Sequence, residues 1–575
     1  MLNRLSSHED NNHFKKSPVV LIAKVKNESK RILFFLNYYR MIGIESFIFI
    51  DNNSTDGTCE LLASQNDVLT LSTKEPLYHH NTWIKEVLQA YRVNSWSLVV
   101  DLDELFCFPY LENTKITQLL AYLDYNHFTA VESLLIDMYP KGYLSHANMP
   151  THCSPLSELK YFDSNSHFLK RTRYYGGVRK RIFNIEPCLT KFPLFKYNKN
   201  MAIEAGMHSI RGVKSPRFST ALLHCKFDAN FSIKAQEAIE TEVYWNDSEE
   251  YKKYALKEDW VLYDDNFSAI YSDSQSLIKK DIMRADLSLT NYIRKIKNPT
   301  VSIIICSSGT TTVSPALLQS LEKQTYQDFE LIIIDNNPNP TIHSTDTIID
   351  QIVHERESGL SFARNKGVQT SIGSYLLFID DDVILDKACI ENLVQGVERF
   401  QSDIVGGDVL LRQDITVNLT RKERRFLSEL TYTEDIEKVE FPKYIIGACM
   451  LIKRSTFIKY GLFFTGLGRE GKTLLSGEET EFIKRINKYG GKVSYIKDAT
   501  CTHNINLERV KFKYLLRRAY WQGITDCKIN KIFNEEFKRN KIISLNIRDT
   551  FLNLFRRIGY QVEVYNTRHS TSSSP

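Results

Sequence analysis

The sequence predicts an α/β fold built twice in tandem, each copy a mainly parallel sheet flanked by helices, with a helical extension at the C-terminal end. Three observations predict it. Apolar, β-branched runs alternate with helical segments along the chain. The same landmarks occur in the same order in each half. The chain has 575 residues, too many for a single hydrophobic core at roughly 100–200 residues per domain.

The first copy opens with the buried-strand run VVLIAKV (19–25), followed by the helical stretch SKRILFFLNYYRMIG (29–43) and the strand SFIFIDNNSTDGT (46–58). The second opens with VSIIICSS (301–308), then PALLQSLEKQT (315–325) and FELIIIDNNPNP (329–340). Both second strands end in Ile-Asp-Asn-Asn. Each copy then has an apolar strand closed by acids, WSLVVDLDE (96–104) and SYLLFIDDD (374–382). Each ends with a His on a late strand, LLHCKF (222–227) and ATCTHNI (499–505). Asp51 and Asp335 are 284 positions apart, Asp101 and Asp380 279, and His224 and His503 279. Three coincidences at nearly one offset argue for two copies of one domain. In such sheets ligands bind beyond the carboxyl ends of the strands, where these acids sit.

The expected organisation is a polar N-terminal tail over 1–17, a first domain over 18–235, a helical connector over 236–298 and a second domain over 299–508. A basic helical extension over 509–565 and a disordered tail over 566–575 follow. Composition is that of a folded protein, 42% hydrophobic and 25% charged. A net charge of +5 over this length gives no reason to expect a nucleic-acid partner. That charge is an average: residues 509–557 hold 13 Lys/Arg against 4 Asp/Glu, so the rest of the chain is slightly acidic. Basic and apolar residues alternate in FKYLLRRAYW (512–521) and FLNLFRR (551–557), which suits either an anionic membrane surface or packing on the chain's own domain. The 10 Cys form no CxxC pair and read as reduced core thiols. The start, MLNRLSSHEDNNHFKK, has no apolar segment of a signal peptide, and no run approaches the ~20 residues of a membrane helix. The expected location is cytoplasmic, with peripheral contact to the inner face of the plasma membrane.

Carboxylates crowded at one strand end repel unless a cation compensates them. Asp101 with Asp103, and Asp380, Asp381 and Asp382, therefore read as sites for a hard divalent ion, Mn²⁺ or Mg²⁺, which prefers oxygen ligands and shares them with substrate phosphates. A solvated acidic turn is the alternative for either cluster alone. His224 and His503, each 123 residues after its cluster, could complete the sites. His208 is a second candidate in the first half.

At these residues the second half resembles family 2 glycosyltransferases of the GT-A fold along most of 300–505. The segments are ESGLSFARNKG (357–367), FIDDD (378–382), GACMLIKR (447–454), GLFFTGLGREGKTLLSGEETEF (461–482) and YIKDATCTHN (495–504). The resemblance implies a nucleotide-diphosphate sugar donor on the first half of the sheet and a saccharide or lipid-linked saccharide acceptor on the second. It places Asp335 near the base or ribose, Arg364 and Asn365 in the sugar-nucleotide pocket, and Asp380 and Asp381 about the nucleotide. It makes Asp382 and His503 metal ligands. In the acidic pair Glu478-Glu479 it makes Glu479 the catalytic base of an inverting transfer, where the family usually has Asp. A charged first helical turn is the alternative for that pair. The first half is similar to the family-2-like group related to family 92 over about 19–235, through AKVKNES (23–29), IDNNSTDGT (50–58), VDLDELF (100–106), YGGVRKRIF (175–183) and LTKFPLFKY (189–197). By that resemblance Lys24, Asn27, Asp51 and Asp101 line the nucleotide site and Asp103 and His224 hold the metal; Arg179 and Lys191 either face diphosphate or acceptor or form a solvated basic patch. No acidic pair like Glu478-Glu479 appears at the equivalent place in the first half, where Glu204 is the carboxylate nearby. The expected activity is a bifunctional glycosyltransferase of bacterial surface-polysaccharide synthesis. The rivals are a chain in which the second domain alone is catalytic and the first docks acceptor, and a non-catalytic scaffold.

Overall fold

Apolar runs too short for helices and buried on both faces become the central parallel strands. In the first copy VVLIAKV forms β1 (Val19–Val25) and FIFID forms β2 (Phe47–Asp51), with every residue of β2 buried. The computed structural model describes all residues except 1, 5–10, 76–78, 149–151, 242–248, 310–311, 345, 417–418, 536–545 and 571–575. It divides into two units, Met1–Asn298 with Ile458–Gly461, and Pro299–Phe457 with Leu462–Pro575.

The first unit continues with β3 (Val68–Ser72), β4 (Trp96–Val99), β5 (Glu104–Cys107), β6 (Ala130–Asp137), β7 (Thr190–Lys196) and β8 (Thr220–His224). The second has β9 (Val301–Ser307), β10 (Phe329–Asp335), β11 (Gln351–His354), β12 (Tyr375–Asp380), β13 (Val383–Leu385), β14 (Ile404–Leu411), β15 (Cys449–Lys453) and β16 (Val493–His503). Across the first sheet the order is β3-β2-β1-β4-β7-β6-β8-β5, with the two-residue strand Asn3–Arg4 added antiparallel outside β3, and across the second β11-β10-β9-β12-β15-β14-β16-β13. Apart from that edge strand, the eight-strand orders are the same. So are the senses: four pairings are parallel and three antiparallel in each. The repeat seen in the landmarks is therefore a repeat of topology. These are tandem GT-A folds with helices on each mixed sheet and a helical C-terminal extension.

Register brings the landmarks to one edge. Val25 pairs with Asp51 and Ser307 with Asp335. His224 lies opposite Glu104, and His503 opposite Val383, because β5 and β13 run antiparallel beside the late His strand. The strand that follows each acid cluster thus returns it to the His. In the second unit the helix Leu360–Thr370 is drawn onto β9 by Gly367, where a Cβ would stand 2.4 Å from Ile304. Arg364, one turn before Gly367 on the same face, is thereby held against the sheet edge.

Residues 236–298, expected as a connector, contribute to the first unit. Ser268–Ile270 pairs with Tyr161–Asp163, and helices Ser274–Lys279 and Leu287–Lys295 follow. The N-terminal tail carries a helix over Asn11–Lys16, with Phe14 buried in the core of this unit.

The basic extension forms two helices, Phe512–Phe533 and Ile547–Ser570. The first residues expected in a disordered tail, 566–570, are the end of the second helix, and 571–575 lie outside the described residues. The helices cross at Gly523 and Gly559, where a Cβ would lie 1.8 Å from the Arg556 carbonyl oxygen and 1.9 Å from that of Tyr520. Leu515, Ala519 and Leu552 join Leu411, Leu419, Leu427 and Ile505 in one apolar cluster of the second unit. No described helix is long and apolar enough to cross a membrane.

Candidate functional site

In the second unit β12 ends at Asp380, and a tight turn carries Asp381 and Asp382 into β13. Pairing of β13 with β16 sets Asp382 Oδ1 2.9 Å from His503 Nε2. Asp380, Asp382 and His503 form a group whose ligand atoms all lie within 4.8 Å of one another. Two carboxylates and one imidazole in that space suit a divalent ion that keeps open positions for water or substrate oxygens. Arg509 donates to the other oxygen of Asp382 at 2.9 Å. Burial alone would raise Asp382, but His503, and then Arg509, hold it below the usual carboxylate range. Burial raises Asp380, against Arg364. Asp381 faces away from the group: it accepts from the Ser307 hydroxyl at 2.5 Å, and burial pushes it up to about 6.

Arg364 joins this cluster to the acidic pair. Its guanidinium donates to Glu478 Oε1 at 2.8 Å, to Asp380 Oδ1 at 3.4 Å and to the Gly447 carbonyl at 3.1 Å. Asn365 does different work, exchanging two 2.9 Å bonds with the Phe463 backbone and so pinning the loop that follows the helix Arg454–Tyr460. Glu478 and Glu479 open the helix Glu478–Lys488 behind Gly477, which stands at φ 90°. The ion pair internal to that helix is Glu481 with Arg485, fully buried. Glu478 is buried and committed to Arg364, while Glu479 has no ion pair among the described residues. Burial first, and then the charge of Glu478, push Glu479 up to about 7. A carboxylate with that value is half-ionised near neutrality, the condition for a general base.

Asp335 lines a cavity of about 480 Å³ with Pro340, Ile342, His343, Ser344, Ile352 and His354. Its oxygens accept from the backbone of Asn337 (3.1 Å), Thr341 (2.7 Å) and Ile342 (2.9 Å) and from the Asn337 amide (2.7 Å). Four donors fill the lone-pair sites of a carboxylate. Asp335 shapes the cavity wall by folding this loop. Asn336 and its counterpart Asn52 also hold backbone, each donating to two carbonyls beyond the next strand.

The first unit fills the same edge differently. Asp101 lies 3.1 Å from Lys24 Nζ and 3.7 Å from Lys191 Nζ, and Lys191 also pairs with buried Glu104. Against the cost of burial these lysines hold Asp101 down to about 2. Asp103 Oδ2 is 3.4 Å from His224 Nε2, and His224 Nδ1 is 2.7 Å from Asp137. Asp137 in turn accepts from Arg179 at 2.8 Å. Burial works against the imidazolium, but Asp103 and then Asp137 outweigh it, so His224 is pushed up to about 9. Asn27, at φ 54°, and Asp51 hold the turn at Ser54–Thr55. His208 bonds the Thr190 carbonyl at 2.9 Å, so His224 is the histidine at the acids. Glu204 is exposed in an ion pair with Arg173, and no contact joins it to Asp101 or Asp103.

The sequence reading missed Arg509, Ser307, Glu104 and Asp137. Asp137 carried a signal, since LLID (134–137) ends a strand as FIFID does. Arg509 carried none, because its partner Asp382 is 127 residues away.

Residues 302–461 match the profile of the family described as "Glycosyl transferase family 2". The chain is a glycosyltransferase. Its second unit holds the family 2-like GT-A domain, and the first is a duplicated GT-A-like region. The matched residues lie wholly in the second half of the sequence. The chain is 27% identical over 239 residues to the glucosyl-dolichyl phosphate glucuronosyltransferase of Haloferax volcanii, covering 39% of this chain and 75% of that protein. It is 33% identical over 129 residues to a PGL/p-HBAD biosynthesis glycosyltransferase of Mycobacterium tuberculosis, 20% of this chain and 48% of that one, so it spans about half the length of this relative. A solved mannosyltransferase from Pyrobaculum calidifontis, in complex with GDP-Man and Mn²⁺, is 15% identical. The alignment covers 48% of this chain and 76% of that one at a TM-score of 0.31.

Proposed function

We propose that this glycosyltransferase moves sugars from nucleotide-diphosphate donors to a growing saccharide in bacterial surface-polysaccharide synthesis, with the second domain inverting. One observation carries the reading: Arg364 ties the Asp380–Asp382–His503 cluster to the Glu478–Glu479 pair. Donor and acceptor chemistry are thereby brought to one sheet edge. Glu479 takes the proton of the acceptor hydroxyl as its oxygen attacks the anomeric carbon, and the bond from that carbon to the diphosphate breaks. Attack opposite the leaving group inverts the configuration. A bound Mn²⁺ or Mg²⁺ supplies charge stabilisation for the departing diphosphate. Asp382 and His503 would be its ligands, with Asp380 beside them.

The chain spans only part of its relatives, so the donors, acceptor and linkages belong to this proposal. The test is nucleotide release by the full chain from a panel of sugar nucleotides with either metal. Loss of release on chelation supports the reading, and metal-independent release overturns it.

A second reading has its own support. In the first domain, lysines and an arginine already neutralise Asp101 and Asp137. This favours a first domain that binds acceptor or docks while the second performs transfer. The helix Ile547–Ser570 also bears an exposed stripe, Ile547, Phe551, Leu554, Ile558 and Tyr565, at heptad-like spacing beside Arg548 and Arg557. That stripe supports peripheral contact with the anionic inner face of the plasma membrane.

A further inference from the structure

Two arginines of the second unit stand beside the acidic pair without a carboxylate of their own. Arg518, on the helix Phe512–Phe533, donates through Nη2 to the Ser476 hydroxyl at 3.0 Å, while its Nε and Nη1 are shut off from solvent and have no hydrogen-bond partner. Arg469 sits on the loop that the Leu360 amide holds through the Arg469 carbonyl at 2.9 Å, and its guanidinium reaches only the Tyr514 hydroxyl, at 3.5 Å. Among the described residues neither guanidinium has a carboxylate within ion-pair distance. Burial, and then the charge of Arg469, lower Arg518 to about 10, which places the two cations in each other's field. Asp380 and Glu478 lie in the field of Arg469, and Glu479 and Glu478 in that of Arg518.

A buried guanidinium with idle donors is costly unless an anion completes it. The planar fork of Arg matches phosphate oxygens in pairs. Gly468, at φ 98°, keeps the loop clear at this point: a Cβ there would stand 2.8 Å from the Ser361 hydroxyl. The loop therefore sets Arg469 against the first turn of the helix Leu360–Thr370, and the C-terminal helix supplies Arg518 from the other direction. The metal cluster and Arg364 belong to separate elements and do not use these donors.

We infer that Arg469 and Arg518 form a phosphoryl-binding pair beside the acidic pair, holding a phosphate group of one of the reactants. This rests on the transferase reading given above. The group is either the diphosphate of the donor or a phosphate that links the acceptor saccharide to its carrier. The basic extension is then part of the site as well as a surface.

The test uses the full chain and inorganic pyrophosphate in the presence of chelator, so that no metal contributes. Calorimetry should show binding by the wild type, weakened about 10- to 100-fold in Arg518→Gln and in Arg469→Gln, with Arg518→Lys between. Equal affinity in all forms, or no binding by the wild type, overturns the inference. Unfolding midpoints of the variants check that they fold, and Arg469→Gln provides a second route because it lies on a loop rather than in the helix. Kinetics then separate the sources. A raised KM for the sugar nucleotide, read by hydrolysis without acceptor, assigns the donor diphosphate. A raised KM for a phosphate-linked acceptor, but not for the same saccharide without phosphate, assigns the acceptor. If neither KM moves, the pair binds no reactant and the inference fails. Metal-dependent nucleotide release by the wild type is measured alongside: its absence with arginine-dependent pyrophosphate binding intact counts against the transferase reading alone.

Discussion

The two units share one order and one set of pairing senses across eight strands, yet they surround their strand-end acids differently. In the second, Asp380 and Asp382 have Arg364 and Arg509 on their outer sides and converge with His503 in a group that could hold a cation. In the first, Asp101 faces Lys24 and Lys191, and His224 stands between Asp103 and Asp137. The repulsion is the same, and a lysine can answer it as well as a metal. Duplication therefore preserved the acids and the late histidine, Asp103 with His224 and Asp382 with His503, but not the cations beside them. Topology fixes where a site is, and the side chains that reach over from neighbouring strands decide what it does.

The largest expected effect tests the base. Glu479→Gln should lower transfer by about 10²- to 10⁴-fold while leaving donor binding in place. In the wild type the rate should rise with pH through about 7, because the ionised form of Glu479 accepts the proton and burial beside Glu478 holds its titration there. A pH–rate profile locates that limb. A Glu479→Gln enzyme as active as the wild type would remove the functional asymmetry between the units, since the first has no such pair.

Metal stoichiometry addresses the difference directly. Titration with Mn²⁺, followed by the loss of the free-ion paramagnetic signal, should show one ion per chain. Asp382→Asn should weaken that binding by at least about tenfold, as expected when a charged ligand is lost. Asp103→Asn should leave it unchanged. Two ions in the wild type, or loss on Asp103→Asn, would mean that Lys24 and Lys191 move aside and that the units are alike.

Much of this contrast was legible in the sequence. The landmarks at offsets of 279 and 284 residues located both edges, and Asp380, Asp382 and His503 meet as their spacing suggested. What was not legible depends on contacts between distant segments. Asp335 ends its strand where a ligand contact was expected, but its four donors come from residues 337–342, and only the loop conformation reveals that they saturate it. The same holds for Arg364 and Asn365, adjacent on one helix yet turned to different tasks, a carboxylate bridge and a backbone clamp. The basic residues of 509–557 read as a surface, whereas Arg509 reaches Asp382. Composition reports charge, and only the packing of the helices tells which charges turn inward.

Stability offers a smaller effect with the same contrast. Removing Asp137 leaves buried Arg179 and His224 short of a counter-charge, a loss of about 3–5 kcal/mol for a broken buried pair. Asp137→Ala should lower the unfolding midpoint of the first unit, read by calorimetry. A midpoint that does not fall would show that the Asp103–His224–Asp137–Arg179 chain is not the buried network described.

The smallest effect is a pH dependence confined to the first unit. His224 faces Asp103 beyond β4 and Asp137 on β6, with Arg179 on the far side of Asp137 and Glu104 of β5 paired to Lys191 of β7. Its folded value, about 9, lies above that of an unfolded histidine, near 6.5. The proton it holds therefore adds stability in full below about 6.5, and that contribution is lost as pH rises through about 9. His224→Gln should unfold at a lower temperature than the wild type near neutrality, and the gap should narrow above pH 9, where the wild-type imidazole is neutral as well. A gap that stays constant from neutrality to pH 10 would mean that His224 is uncharged when folded. It would then offer its imidazole to a cation as freely as any metal-ligating histidine, and the two halves would again be equivalent.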